Sequence, residues 1–147
     1  MNAGVPTPFD IAFGIILAVV YLLLAIWEFY IFAQLQSLEA DEISSKDLCD
    51  TINRYVLPEY FVHFIVSACY LYKQKWITFF FNIPLLYLHI KKFSNKKYSF
   101  DYLSIRLPIE LKQALREHTL FLSFYGYLFA WAIAVVIKDS VVYSINT

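Results

Sequence analysis

Two long stretches without charge restrict what this chain can fold into. Ile11 to Trp27 and Thr119 to Ile137 contain no Asp, Glu, Lys or Arg. A helix of about 20 apolar residues crosses the hydrocarbon core of a bilayer, and both stretches approach that length. Only 16% of the residues are charged, against about 25% in an ordinary soluble domain. The sequence therefore predicts an integral membrane protein with spanning helices at about residues 9–32 and 119–138.

The middle of the chain holds two shorter apolar stretches, Phe61 to Tyr72 and Trp76 to Ile90, separated by Lys73-Gln74-Lys75. One continuous helix would be about 45 Å long and would bury two lysines, at about 2.5–3.5 kcal/mol each. Two arrangements remain open on these grounds. The first is a pair of short spanning helices at about residues 56–72 and 76–91, and the second is a re-entrant hairpin that returns to the same side.

Basic residues are concentrated in two polar segments. Gln34 to Tyr60 and Lys91 to His118 together hold nine of the twelve Lys and Arg residues, so the positive-inside rule makes both segments cytosolic. This requires an even number of crossings between them and places both termini in the lumen or outside. We expect a single all-α domain over residues 1–147, an integral membrane four-helix bundle with two short central helices and cytosolic loops at about 34–55 and 92–118.

The second polar segment has two further features. Pro108 to His118 has helical periodicity, and we expect it to lie along the membrane interface before the last span. Its neighbouring basic cluster could bind anionic lipid headgroups or serve as a topology anchor, and it consists of Lys91, Lys92, Lys96 and Lys97. Because the net charge is zero, we expect no nucleic-acid partner.

Few residues suggest chemistry. Glu28 is a candidate for proton coupling, but its position after Trp27 favours a carboxylate that reaches headgroup water. Glu59 and His63 share a helical face, which favours a polar contact between helices, and no further ligands support a metal site. Cys49 and Cys69 are expected to be free thiols. No catalytic motif occurs in the sequence, so we expect no enzyme and no cofactor.

Small residues form two stripes, which we expect to pack within the chain. One consists of Gly14 and Ala18, and the other of Gly126, Ala130 and Ala134. Aromatic residues on the first two helices belong either to an interfacial belt or to a surface that faces another helix.

The segment from Cys49 to Ile90 carries residues in a distinctive order and spacing: Cys49-Asp50-Thr51-Ile52-Asn53, then Leu57, Pro58, Glu59, Tyr60, His63, Trp76, Asn82, Pro84, Leu85, Leu86 and His89. This pattern closely resembles the signature of the cornichon family. Cornichons are four-helix membrane proteins with both termini lumenal or extracellular. The resemblance therefore implies two short central spans rather than a re-entrant hairpin.

The resemblance also implies a function. Such a protein binds transmembrane cargo in the endoplasmic reticulum membrane, recruits it to the COPII coat for export to the Golgi, and cycles between these membranes. The residues expected to contact clients are Phe9, Phe13, Tyr60, Phe61, His63 and Phe64. Ile105, Arg106 and Leu107 correspond to a coat-contacting motif of fungal members, although Pro108 departs from it.

Two alternatives belong to other classes. Some animal cornichons remain with AMPA-type glutamate receptors as auxiliary subunits at the cell surface. Those members have an insertion before the segment that matches Val56 to Tyr60, and this chain lacks it, which favours export. A small proton-coupled transporter is the third possibility, and it would require Glu28.

Overall fold

A computed structural model describes residues 4–147 of the protein. They form four α-helices, α1 (Pro8–Glu39), α2 (Ser45–Tyr72), α3 (Trp76–Ser94) and α4 (Pro108–Asn146), with a 3-10 helix at Ser104–Arg106. This range contains no β-strand, and the all-α prediction is confirmed. By length and composition, α1 and α4 are the two described helices that could each cross a membrane.

Local sequence signals determine where the helices begin. Thr7 and Asp10 form a capping box at the start of α1, in which each side chain accepts a hydrogen bond from the other residue's backbone N–H. Pro8 occupies the first turn, where its missing N–H costs nothing. Ser44 caps α2, and Pro108 opens α4 in the same way as Pro8 opens α1.

The helices extend beyond the expected spans. α1 continues to Glu39 and α2 begins at Ser45, so the expected loop 34–55 contracts to residues 40–44. Within α2 the charged residues Lys46, Asp47, Asp50 and Arg54 lie on the exposed face, while Leu48, Cys49 and Ile52 are buried on the other. Charged side chains disfavour a helix only where it lies within the hydrocarbon layer. The charges in this segment therefore gave no information on how far the helices extend outside the membrane.

The fourth helix is continuous where we expected a break. Residues 108–118, expected along the interface, form the first three turns of α4 and not a separate segment. The connection from α3 is residues 95–107. The continuity has a clear cause, because Leu111, Ala114, His118 and Phe121 form one buried face that runs without interruption into the apolar part of the helix.

Two apolar clusters form the interior. The first joins all four helices and consists of Leu17, Ala18, Tyr21, Leu24, Val66, Tyr70, Leu85, Phe121, Tyr125, Leu128 and Ala132. The second joins α1, α2, the 3-10 helix and α4, and consists of Ile31, Leu35, Leu38, Leu48, Cys49, Ile52, Val56, Ile105, Leu111 and Ala114. The buried polar side chains described below lie among these clusters.

The outer surface is strongly apolar. Only 22% of the most apolar 18-residue window is buried in α1, and the same fraction in α4. The core helix of a soluble protein would be mostly buried, and exposed apolar areas of this extent are rare on soluble monomers. The exposed surface therefore agrees with the membrane class that the composition predicts.

The small-residue stripes have different surroundings. A Cβ atom at Gly14 would lie 2.9 Å from Val136 Cγ2, and Ala18 is buried, so the stripe on α1 packs within the chain as expected. For the stripe on α4 the expectation is wrong, because Gly126, Ala130 and Ala134 are exposed. That helix turns its larger residues inward instead.

The contact at Gly14 leads to a stability prediction. Gly14→Leu should lower the free energy of unfolding by about 1–3 kcal/mol, because the new side chain overlaps Val136 in a packed contact. Adding Val136→Ala should restore part of the loss. Gly126→Leu is the matched control, since no atom lies within 4 Å of a Cβ there. Thermal unfolding in detergent measures all four proteins, and equal losses in the two leucine variants would contradict the close packing.

Candidate functional site

The central polar residues lie on the buried stripe of each helix. On α1 the buried residues recur at intervals of three and four: Leu17, Tyr21, Leu24, Glu28, Ile31, Leu35 and Leu38. Glu28 is therefore turned inward and is fully buried. The expectation that its carboxylate reaches headgroup water is wrong, because position in an uncharged run indicates depth, whereas helical spacing determines which way a side chain faces.

Glu28 pairs with a histidine from the last helix. Its Oε2 lies 2.7 Å from His118 Nδ1, which joins α1 to α4. No hydrogen-bond partner for its Oε1 is present among residues 4–147. A buried polar pair of this kind links two helices strongly, because either residue alone would be left without a partner in an apolar interior.

Glu59 links three helices. Its side chain on α2 accepts a hydrogen bond from Trp27 Nε1 of α1 at 3.2 Å and from Tyr125 Oη of α4 at 3.1 Å. The sequence suggested a polar contact between helices at Glu59 and His63. That interpretation is confirmed, although the two residues bind different partners rather than each other.

Asn82 of α3 is the second junction. Its Oδ1 accepts hydrogen bonds from Tyr21 Oη at 2.7 Å and from His63 Nε2 at 2.9 Å. Its amide nitrogen donates to the Thr78 carbonyl at 2.8 Å, which fixes the orientation of the amide. Asn82 thus connects α1, α2 and α3 at one point, and all three groups are buried.

The amide orientation also assigns the histidine tautomers. Because Asn82 presents an oxygen, His63 must carry its proton on Nε2, and its Nδ1 is then an acceptor in the neutral ring. His89 Nδ1, at 3.3 Å, donates to it. His89 Nε2 therefore has a free lone pair, and it lies 4.0 Å from Glu59 Oε1. The junction at Glu59 and the junction at Asn82 are therefore closest to each other at this 4.0 Å distance.

Ion pairs fasten one end of the helices. Lys73 Nζ lies 2.8 Å from Asp10 Oδ1 of α1, and Lys75 Nζ lies 2.9 Å from Asp139 Oδ2 of α4. The three-residue turn between α2 and α3 is thus held at the level of the start of α1 and the last turns of α4. Gln74, with φ of 54°, provides the left-handed residue of this turn.

Different contacts hold the opposite end. The Asn53 side chain forms two hydrogen bonds with the Phe100 backbone, at 2.8 and 2.7 Å. Lys92, one of the four lysines considered for lipid binding, is half-buried and paired with Glu117. Lys91, Lys96 and Lys97 are exposed, so within the basic cluster these three present their charges outward.

The residues expected to contact clients do not form one surface. Phe9, Phe61 and Phe64 are exposed, Phe13 and Tyr60 are half-buried, and His63 is fully buried. Tyr60 stacks on His89 with ring centroids 4.1 Å apart. The outward-facing aromatic residues are therefore separate from the polar network to which His63 belongs.

The three residues considered for coat binding also differ. Ile105 is buried in the second apolar cluster, whereas Arg106 and Leu107 are exposed. Arg106 Nε donates to Ser45 Oγ at 3.1 Å, which fastens the 3-10 helix to the start of α2. Replacing Ile105 would therefore disturb packing as well as any surface.

The part of the chain that the structure describes offers no metal site, and one of its two thiols is held protonated. No group of three or more His, Cys, Asp or Glu side chains is placed to hold a metal ion between residues 4 and 147. Cys49 and Cys69 are free, as expected. Burial raises the pKa of the Cys49 thiol to about 11, with smaller contributions from Asp101 and Asp50, which keeps it protonated and unreactive.

These features define the class: a small helical membrane protein whose interior polar residues join helices. Residues 11–133 match the family model described as Cornichon protein. The chain belongs to the cornichon family. The pattern that resembles the family signature includes four buried polar residues, Glu59, His63, Asn82 and His89, and all four lie in the network.

Similar proteins include two from yeasts and one from a fly. The chain is 32% identical over 92 residues to the ER-derived vesicles protein erv14 of Schizosaccharomyces pombe, covering 63% of this chain and 66% of the relative. It is 34% identical over 95 residues to the ER-derived vesicles protein ERV15 of Saccharomyces cerevisiae, covering 61% and 67%. It is 34% identical over 59 residues to Protein cornichon of Drosophila melanogaster, covering 40% and 41%.

The Glu28 and His118 pair leads to a prediction about how the effects of two substitutions on the free energy of unfolding combine. Glu28→Leu or His118→Leu alone should lower the free energy of unfolding by about 3–5 kcal/mol, because each leaves a buried polar group without its partner. The double variant should be more stable than either single variant. Glu39→Leu, at an exposed position of α1, is the control. Additive losses in the double variant, measured by unfolding in detergent, would rule out the pair.

Proposed function

We propose that all four helices cross the membrane, with both termini lumenal and the connections at residues 40–44 and 95–107 cytosolic. The ion pairs of Lys73 and Lys75 support this topology. They hold the α2–α3 turn level with Asp10 and Asp139, which flank the uncharged stretches of α1 and α4. If α1 and α4 cross the bilayer, a turn at this level lies at the lumenal surface, and a re-entrant hairpin would end within the hydrocarbon.

We further propose that the protein is a non-enzymatic cargo receptor. It binds transmembrane clients in the endoplasmic reticulum, recruits them to COPII vesicles for export to the Golgi, and cycles with them. The observation that carries this proposal is membership of the cornichon family, with two relatives that are named as proteins of ER-derived vesicles. The match covers about two thirds of the length of each of those relatives. The client and coat contacts are therefore proposed from the residues of this chain alone.

The client surface that we propose is the exposed face of α2 near Phe61 and Phe64. Their side chains are 65% and 57% exposed, and the polar network holds α2 in place from its other side through Glu59 and His63. A client helix packed here would replace lipid, so its affinity rests on shape and not on a hydrophobic gain. Modest affinity suits a receptor that must release its cargo.

The coat contact that we propose rests on Arg106 and Leu107. Arg106 ends the 3-10 helix and Leu107 follows it; both are exposed, Leu107 to 55%. Ile105 is buried below them, and we assign it the role of holding the segment in position. Of the three residues, Arg106 and Leu107 would therefore contact the coat, and Ile105 would hold them in position.

The topology is tested by cysteine labelling. In a chain whose native cysteines are replaced by alanine, Lys96→Cys should react with a membrane-impermeant maleimide applied to the cytosolic side of the membrane. Gln74→Cys should react only after permeabilisation. The positions are matched, since both are exposed with φ of 54°. Reaction of both in intact membranes, or protection of Gln74→Cys even after permeabilisation, would contradict four crossings.

The export role is tested with two double variants in cells. Arg106→Ala with Leu107→Ala should hold both the receptor and its clients in the endoplasmic reticulum, because coat contact is lost. Phe61→Ala with Phe64→Ala should leave receptor export unchanged while clients stall. Localisation of the receptor and quantitative proteomics of post-Golgi membranes measure the two effects separately.

Two controls keep this test specific. Phe80→Ala and Ile145→Ala remove exposed apolar side chains elsewhere and should behave as wild type. If complete deletion leaves every membrane protein correctly delivered, the receptor role fails. Steady-state residence at the plasma membrane beside a channel or receptor would instead favour an auxiliary subunit.

A further inference from the structure

A groove opens between the first turn of α3 and the last third of α4. Its volume is about 470 Å³, within the range of small-molecule sites. The α4 wall consists of Trp131, Ala134, Val135 and Lys138, which share one helical face at intervals of three and four. Trp131 Nε1 donates a 2.9 Å hydrogen bond to Thr78 Oγ1 of α3, which joins the two walls of the groove. The small side chain of Ala134 leaves space between the walls.

One end of the groove is positively charged. Lys138 is exposed, and residues 4–147 offer it no hydrogen bond or ion pair. Lys75 lies opposite and shares its charge with Asp139. No side chain within the described range caps α3, so the N–H groups of its first turn lack a side-chain acceptor, and the residues of that turn, Trp76, Ile77 and Thr78, line the groove. Cations and free N–H groups together suit a phosphate.

The rest of the groove is apolar. Its walls continue inward along Trp131, Val135 and Ile77. From Lys138 to Trp131 is seven residues of helix, or about 10 Å, so the groove runs from a charged end to an apolar interior over that depth. Trp76 and Trp131 are the residue type that collects at the boundary between headgroups and hydrocarbon. This order of polar and apolar walls matches the order of groups in a phospholipid.

We propose that the groove binds one phospholipid, with its phosphate at Lys138 and the start of α3, and an acyl chain along Trp131 and Ala134. A phospholipid supplies both an anion for Lys138 and an acyl chain for the apolar walls, whereas an apolar client helix would bring no anion to Lys138. Free phosphate would leave the apolar walls uncovered. The proposal depends on insertion of α3 and α4 into a bilayer and not on the export role.

The test uses the purified, delipidated full chain in detergent. Native mass spectrometry would count the dioleoylphosphatidylglycerol retained per chain, with dioleoylglycerol as the probe that lacks phosphate. Wild type should retain one phosphatidylglycerol and no dioleoylglycerol. Lys138→Ala should weaken retention at least tenfold, and Ala134→Trp should abolish it by filling the groove. Lys112→Ala and Ala130→Trp, exposed positions of α4 outside the groove, should bind as wild type.

Several outcomes would overturn the proposal. Equal retention in Lys138→Ala and Lys112→Ala, or in Ala134→Trp and Ala130→Trp, would show that the groove is not the site. Equal retention of dioleoylglycerol would exclude phosphate recognition, and displacement by millimolar inorganic phosphate would indicate a free-phosphate site. A photo-crosslinker placed at Ala134 in cell membranes should yield lipid adducts, and protein adducts alone would indicate a client helix. Equal thermal stability of the two tryptophan variants checks that both fold.

Discussion

The interior of this protein depends on a simple constraint: a polar side chain in an apolar layer must find a partner within the chain. Glu59 meets it with donors from α1 and α4, and Asn82 meets it with donors from α1 and α2. Apolar packing alone tolerates small slips between helices, whereas these bonds fix rotation and height together. The two junctions therefore determine the register in which the apolar clusters can form.

This interior separates two roles that the sequence presents together. The aromatic and polar residues lie on opposite faces of α2: Phe61 and Phe64 face outward, while Glu59 and His63 face inward. A surface for weak, replaceable contacts with other helices needs a rigid support, because a mobile support would have to be ordered on each binding event. The network provides that support without occupying the outer face.

Much of the architecture follows from sequence, and the remainder has identifiable causes. The membrane class, the four helices and the turn at Lys73–Lys75 follow from uncharged runs and from the positions of lysines. The lengths of α2 and α4 could not be predicted in this way. An uncharged run indicates only the part of a helix that lies in the hydrocarbon layer, and both helices continue beyond it. The inward direction of Glu28 could have been predicted from its spacing with Tyr21, Leu24 and Ile31. Its partner His118 could not, since pairing between distant helices depends on tertiary packing.

The turn at Lys73–Lys75 also has a consequence for the order in which the protein is made. Lys73 can pair with Asp10 as soon as α2 has been synthesised, because Asp10 precedes it in the chain. Lys75 must wait for Asp139, which follows it by 64 residues and belongs to α4. The α2–α3 hairpin is thus held on one side before α4 is made and on both sides only afterwards. A chain truncated before α4 would keep the ion pair of Lys73 and lack that of Lys75.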